Sequence, residues 1–215
     1  MNSPKNTFNR ISEAKQKKII ESALTEFAEK GYTSANINII AEKAGVSIGA
    51  MYKYFENKED LYMKIIAYAV EKLNGVLGEI VTSHGNLIVK IEQIIKAIQK
   101  HTRENVYLTK LYNQMTTESH PEIVQKIVSD MEGISAQLYA AQIIEAQKKG
   151  EIRKDIDPKM FGFYLDNLFI LLQFSYSCDY YKERLKMFVG EDVFEKDEAV
   201  CEELMKFIKG AFFLK

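Results

Sequence analysis

Groups able to meet a nucleic acid are concentrated in residues 36–55, NINIIAEKAGVSIGAMYKYF. Ser47, Ile48, Gly49 and Ala50 are small or apolar, and Tyr52, Lys53 and the nearby Lys58 bring phenol and ammonium donors. Duplex recognition needs both kinds, because cationic and donor groups on phosphate position a protein while groove-facing side chains read bases. Gly49 inside a short helix costs about 1 kcal/mol relative to alanine, which makes sense where a base edge must approach the backbone. Ile48 suits contact with a thymine methyl.

Two short helices must hold these groups. Asn36 is an N-cap, and Ile37, Ile40, Ala41 and Ala44 then recur at helical spacing. Gly45 stops that helix where positive φ is wanted, Val46 plugs the turn, and Ser47 caps a second helix. Met51 and Phe55, four apart, face the core. Helix, glycine turn and helix in this order form a helix-turn-helix, whose second helix enters the major groove. Tyr54 suits DNA contact and core packing equally.

Residues 15–61, about a quarter of the chain, resemble the N-terminal domain of TetR-family transcriptional regulators. The resemblance rests on Phe27, Gly31 and Tyr32, then Ile40-Ala41, Ala44-Gly45-Val46-Ser47-Ile48-Gly49, Tyr52, Tyr54-Phe55, Asn57-Lys58-Glu59 and Leu61. It implies DNA contacts at Asn36, Ser47, Ile48, Gly49, Ala50, Tyr52, Lys53, Tyr54 and Lys58. The family's usual capping threonine is replaced by Asn36, so a hydroxyl contact to phosphate becomes an amide contact. Arg10, Lys15, Lys17 and Lys18 form a further basic cluster that can follow the backbone.

Charge agrees with one-ended DNA contact. Residues 1–58 hold nine Lys and Arg against six Glu, a net of +3, and the remaining 20 basic and 24 acidic residues give −4. The polar N-terminus lacks a secretory pattern, which leads to a cytoplasmic expectation. The most apolar stretch, residues 160–178, is interrupted by Asp166, Asn167 and Gln173, so a buried or interface helix is expected and no membrane partner. Cys178 and Cys201 read as packed thiols, with a redox or intersubunit pair as the alternative.

The expected fold is all-α with about nine helices: a three-helix head, a connecting helix over 57–84 and a helical-bundle body. Domain boundaries follow as 1–58 for the DNA-binding head and 59–215 for effector binding and dimerisation. The connecting helix carries Leu61, Ile65, Ala69, Leu73, Val76 and Ile80 on one face. Single long helices are expected over 121–149 and 158–187, the second apolar nearly all round.

The resemblance also implies a cavity in the body whose ligand changes the separation of two heads. Tyr107, Leu111, Met115, Met131, Ile134, Leu138, Tyr164 and Leu168 would line it, favouring a flat or lipophilic effector. Leu168, Leu172 and Phe207 are expected at a homodimer interface. His101, His120, Glu104 and Glu118 lack ligand-type spacing, so no metal, cofactor or catalytic residue is expected. The leading reading is a homodimeric repressor of operator DNA released by a small hydrophobic molecule. A DNA-binding architectural or partner-recruiting protein is the alternative. An all-α enzyme is disfavoured by the scarcity of paired acids and bases on inward faces.

Overall fold

A computed structural model describes residues 7–117 and 120–213, with the backbone alone for Leu73, Asn74, Val76, Leu77, Asp130, Met131 and Ile134. Helix α1 (Glu13–Ser34) buries Ile19, Ala23 and Phe27, and its axis breaks at Gly31, whose φ of 69° a glycine adopts without strain. Helices α2 (Ile37–Ala44) and α3 (Ile48–Tyr54) follow, then the long connector α4 (Lys58–Thr82). The body comprises α5 (Leu87–Glu104), α6 (Val106–Thr116), α7 (Pro121–Ile127), α8 (Gly133–Lys149), α9 (Pro158–Ser177), α10 (Asp179–Val189) and α11 (Asp197–Phe212).

Helix starts follow from short polar side chains that satisfy otherwise unpaired first-turn amides. Asn57 accepts from the Asp60 amide at 2.9 Å, Asn86 from Val89 at 3.1 Å, and Asp157 from both Lys159 and Met160 at 3.0 Å. Asp60 in turn accepts from the Glu56 amide at 3.1 Å, closing a reciprocal cap.

Two expected long helices are divided. The 121–149 helix holds a wide turn over Val128–Glu132, whose hydrogen bonds span five residues. The 158–187 helix breaks at Cys178, where extended backbone (φ −99°, ψ 129°) separates α9 from α10. Both cysteine side chains are buried, and burial pushes both thiols above their ordinary range, which disfavours the reactive thiolate. Among the described residues no helix is long and apolar enough to cross a membrane.

Two apolar clusters organise the molecule. The first joins head residues such as Phe27, Ile40 and Leu61 to Leu108, Leu111, Met115, Ile123 and Ile127 of α6 and α7. The second packs α5, α8, α9 and α11 around Ile95, Phe161, Leu165 and Phe169. The head therefore has no sealed core of its own: α1 lies along α6, and a methyl group at Gly31 would sit 3.1 Å from the Gln114 side chain. Leu111 and Met115 were expected on a separate body cavity, but they belong to this shared core, fully or almost fully buried.

Candidate DNA interface

The helix-turn-helix closes through its own side chains. Asn36 accepts from the Asn38 amide at 2.9 Å and starts α2. Gly45 takes the left-handed conformation (φ 69°, ψ 36°), so its amide meets the Glu42 carbonyl and that of Val46 meets Ala41, both at 3.0 Å. Ser47 then caps α3, accepting from Ala50 at 3.2 Å. Met51 and Phe55 are buried beneath α3, 1% and 5% exposed.

The opposite face of α3 is open. Ser47, Ile48, Gly49, Tyr52 and Lys53 are exposed and Ala50 half-buried, while Asn36 lies exposed at the start of α2. Nothing within 4 Å would meet a side chain at Gly49, so the open space there is on the outer side, where an approaching base edge would stand. Arg10, Lys17 and Lys18 are exposed and Lys15 half-buried.

Two expected contacts sit differently. Tyr54 is 7% exposed, and its ring lies edge-on to Phe8 at 6.2 Å, so it is a core residue rather than part of the open face. Phe8 precedes α1 and carries no periodic signal. Lys58 is half-buried: its ammonium donates to the Thr33 carbonyl at 2.9 Å and stands 5.1 Å over the Tyr32 ring. Burial lowers its pKa, against the raising effect of Glu26. Lys58 thus ties the start of α4 to the end of α1, and Lys53 is the freer cation.

The most consequential residue not anticipated is Glu26, 2% exposed, which falls three positions after the inward Ala23. Its carboxylate accepts from the Asn36 amide at 3.2 Å and pairs with Lys43 at 3.4 Å, fixing both ends of α2 against α1. A glutamate in the register of an apolar face was the available signal.

In the body, several sequence expectations change. Tyr107 and Tyr164 do not face inward, being 41% and 47% exposed, and Tyr107 reaches Glu29 on α1 at 3.4 Å. Leu138 and Leu168 are half-buried, and the Met131 and Ile134 side chains lie outside the described residues. Among the described residues a void of about 20 Å³ adjoins Tyr139 and Phe169 between α5, α8 and α9, enough for one water. Leu172 is not at a surface: it is 9% exposed and packs within its own chain, whereas neighbouring Leu171 is 45% exposed. Phe207 is 61% exposed, as an interface position requires before assembly. His101 lies 3.2 Å from Asn105 and His120 packs edge-on to Tyr32, on separate elements, and Glu118 lies outside the described residues.

The comparisons with known proteins agree with this geometry. The family described as "Bacterial regulatory proteins, tetR family" matches residues 19–65, spanning the buried face of α1, the motif and the start of α4. The HTH-type transcriptional regulator YhgD of Bacillus subtilis is 25% identical over 162 residues, 75% of this chain and 84% of YhgD. In fold, a TetR-family regulator from Chloroflexus aurantiacus superposes with a TM-score of 0.74 at 21% identity, covering 97% of this chain and 98% of the other. The B. subtilis regulator FadR, solved with stearoyl-CoA, gives 0.68 at 21% identity over 88% and 97%. With a helix-turn-helix, an open recognition face and an all-α body, the chain carries the N-terminal domain of the TetR family over residues 19–65 and the fold of the family's solved regulators.

Proposed function

We propose that the protein is a cytoplasmic homodimeric repressor that binds a pseudo-palindromic operator through α3 and leaves it when a small, largely apolar effector enters the body. The observation that carries the DNA contact is the open face of α3, with Ile48 and Gly49 toward the groove and Ser47, Tyr52, Lys53 and Asn36 toward the backbone. Residues 1–58 form the reading head, and residues 59–215 bind effector and partner. Partner contact falls to the outer faces of α9 and α11, where Phe163, Tyr164, Leu171 and Phe207 are exposed. A two-fold protein presents two recognition helices to two half-sites. The structure of FadR in complex with stearoyl-CoA supports a ligand with an apolar portion.

Gating follows from the shared core: a ligand that prefers one arrangement of α6 and α7 shifts the heads, because α1 packs along α6 and one apolar cluster joins α1 and α4 to α6 and α7. By reciprocity, operator DNA weakens effector binding by the same factor.

Two substitutions test the DNA face. Lys53→Ala should weaken binding to every duplex alike and lower the slope of log affinity against log salt by about one unit. Ile48→Ala should change preference at one base position by about 1 kcal/mol and leave the salt slope unaltered. Equilibrium titrations at several salt concentrations, on the preferred site and single-base variants, separate these effects. Wild-type affinity, slope and preference in both proteins would refute the assignment.

A further inference from the structure

The head holds a cleft between the segment before α1, the end of α3 and the first turns of α4. Phe8 packs tilted on Phe55 at 5.0 Å and edge-on to Tyr54 at 6.2 Å, so three rings close the inner side of α3 and floor the cleft. Met63 and Ala67, four apart on α4, form one wall, and Lys64 stands beside them. At about 310 Å³ the cleft has about twice the ~150 Å³ that takes up a benzene ring, and it reaches the lower limit of ligand sites.

Asn9, Asp60 and Lys64 bring polar groups to the cleft, and their commitments differ. Asp60 accepts from the Glu56 amide at 3.1 Å and stands in the first turn of α4, where the helix dipole favours its negative charge. That carboxylate is already compensated. Lys64 is exposed, and among the described residues no carboxylate pairs with it, Asp60 one helical turn earlier included. Asn9 is exposed and adds an amide donor. The cleft therefore joins an aromatic floor to an unpaired cation at its rim, in a head whose residues 1–58 carry a net of +3.

We infer that this cleft is a ligand site in the DNA-binding head, and that it takes an aromatic anion, a flat apolar body carrying one carboxylate or similar group. The rings of the ligand lie against Phe8, Phe55 and Met63, and its anionic group meets the Lys64 ammonium. A neutral ligand of the same shape forgoes that ion pair, and a cationic one is repelled by Lys64. The site is separate from the proposed effector site of the body and does not depend on it. Tyr54 and Phe55 are inward residues of α3, buried at 7% and 5% exposure, so the cleft lies behind the face that reads the groove. Ligand and operator can therefore be held together.

The test uses the full chain and three probes that share one ring system: 2-naphthoate, 2-naphthamide and 2-naphthylmethylammonium. Calorimetric titration at neutral pH and low salt should show 2-naphthoate binding about fivefold or more tightly than either other probe, the scale of one ion pair at a water-exposed rim. Lys64→Gln should bring 2-naphthoate and 2-naphthamide to within about twofold of each other. Ala67→Trp places an indole in the cleft and should remove measurable 2-naphthoate binding. Circular dichroism melting checks the fold of both variants. Lys64 is exposed, so Lys64→Gln stays informative if Ala67→Trp does not fold. In the protein–operator complex, 2-naphthoate should keep its affinity for the free protein within about threefold, below the usual coupling of an effector to DNA. Equal or tighter binding of the amide or ammonium probe, no binding of 2-naphthoate, or a carboxylate preference surviving in Lys64→Gln would overturn the inference. So would 2-naphthoate binding unchanged in a folded Ala67→Trp, which would locate the probe elsewhere. Loss of 2-naphthoate affinity in the operator complex would overturn the placement of the site behind the reading face.

Discussion

Phe163→Asp combined with Leu171→Asp should yield a folded monomer whose affinity for a full operator is at least about 100-fold below wild type, since linked half-sites gain that much from simultaneous engagement. On α9 these residues are 60% and 45% exposed, beside Tyr164 at 47%, and Phe207 on α11 is 61% exposed. Exposed apolar side chains recurring along one helix are what a proposed partner contact would cover. Burying one such side chain contributes about 1.5–3 kcal/mol, and each aspartate would instead place a charge against apolar surface in both copies. Leu172→Asp, one residue away, should behave differently. Its side chain is 9% exposed and packs within its own chain, so that substitution unfolds the body. Sedimentation equilibrium with circular dichroism distinguishes the outcomes. A double variant that stays dimeric and binds operator normally would remove α9 from the interface.

Glu26→Ala should lower unfolding stability by about 1–3 kcal/mol, because it leaves the Asn36 amide without its acceptor, while the exposed Lys43 ammonium returns to water. Glu26 is 2% exposed and meets them at 3.2 and 3.4 Å. Glu26→Gln should lose roughly half as much, since an amide oxygen still accepts from Asn36 but the charge is gone. Chemical denaturation measures both, with an unchanged denaturant slope confirming that the unfolded state is unaltered. Operator affinity of the Ala variant should fall as well, because Asn36 begins the helix that supports α3. An Ala variant within about 0.5 kcal/mol of wild type would deny Glu26 its role.

The head was legible in the sequence because local chemistry decides it. Asn36, Ser47 and Asn57 make the caps their side chains suit, and Gly45 adopts the left-handed turn. Periodicity likewise identified Met51 and Phe55 as buried. What remained hidden depends on distant partners. Tyr54 turns inward because Phe8, outside any repeat, lies against it. Lys58 turns toward Tyr32 and Thr33, more than twenty residues earlier. In α9 the difficulty is different: a helix apolar all round offers no contrast between faces, so Leu172 could not be told from Leu171. The break at Cys178 was masked by continuous apolar composition, and Asp166 was noted only as an interruption of that run.

The most direct test of the central claim is selection of the full-length protein against a random duplex library. Two recognition helices related by two-fold symmetry should enrich an inverted repeat with half-site centres separated by about one helical turn or a multiple of it, ~10 base pairs. Ile48→Ala, selected in parallel, should return the same repeat with relaxed preference at one symmetric position. Failure to enrich any duplex sequence, or a repeat untouched by every substitution on the open face of α3, would contradict the account.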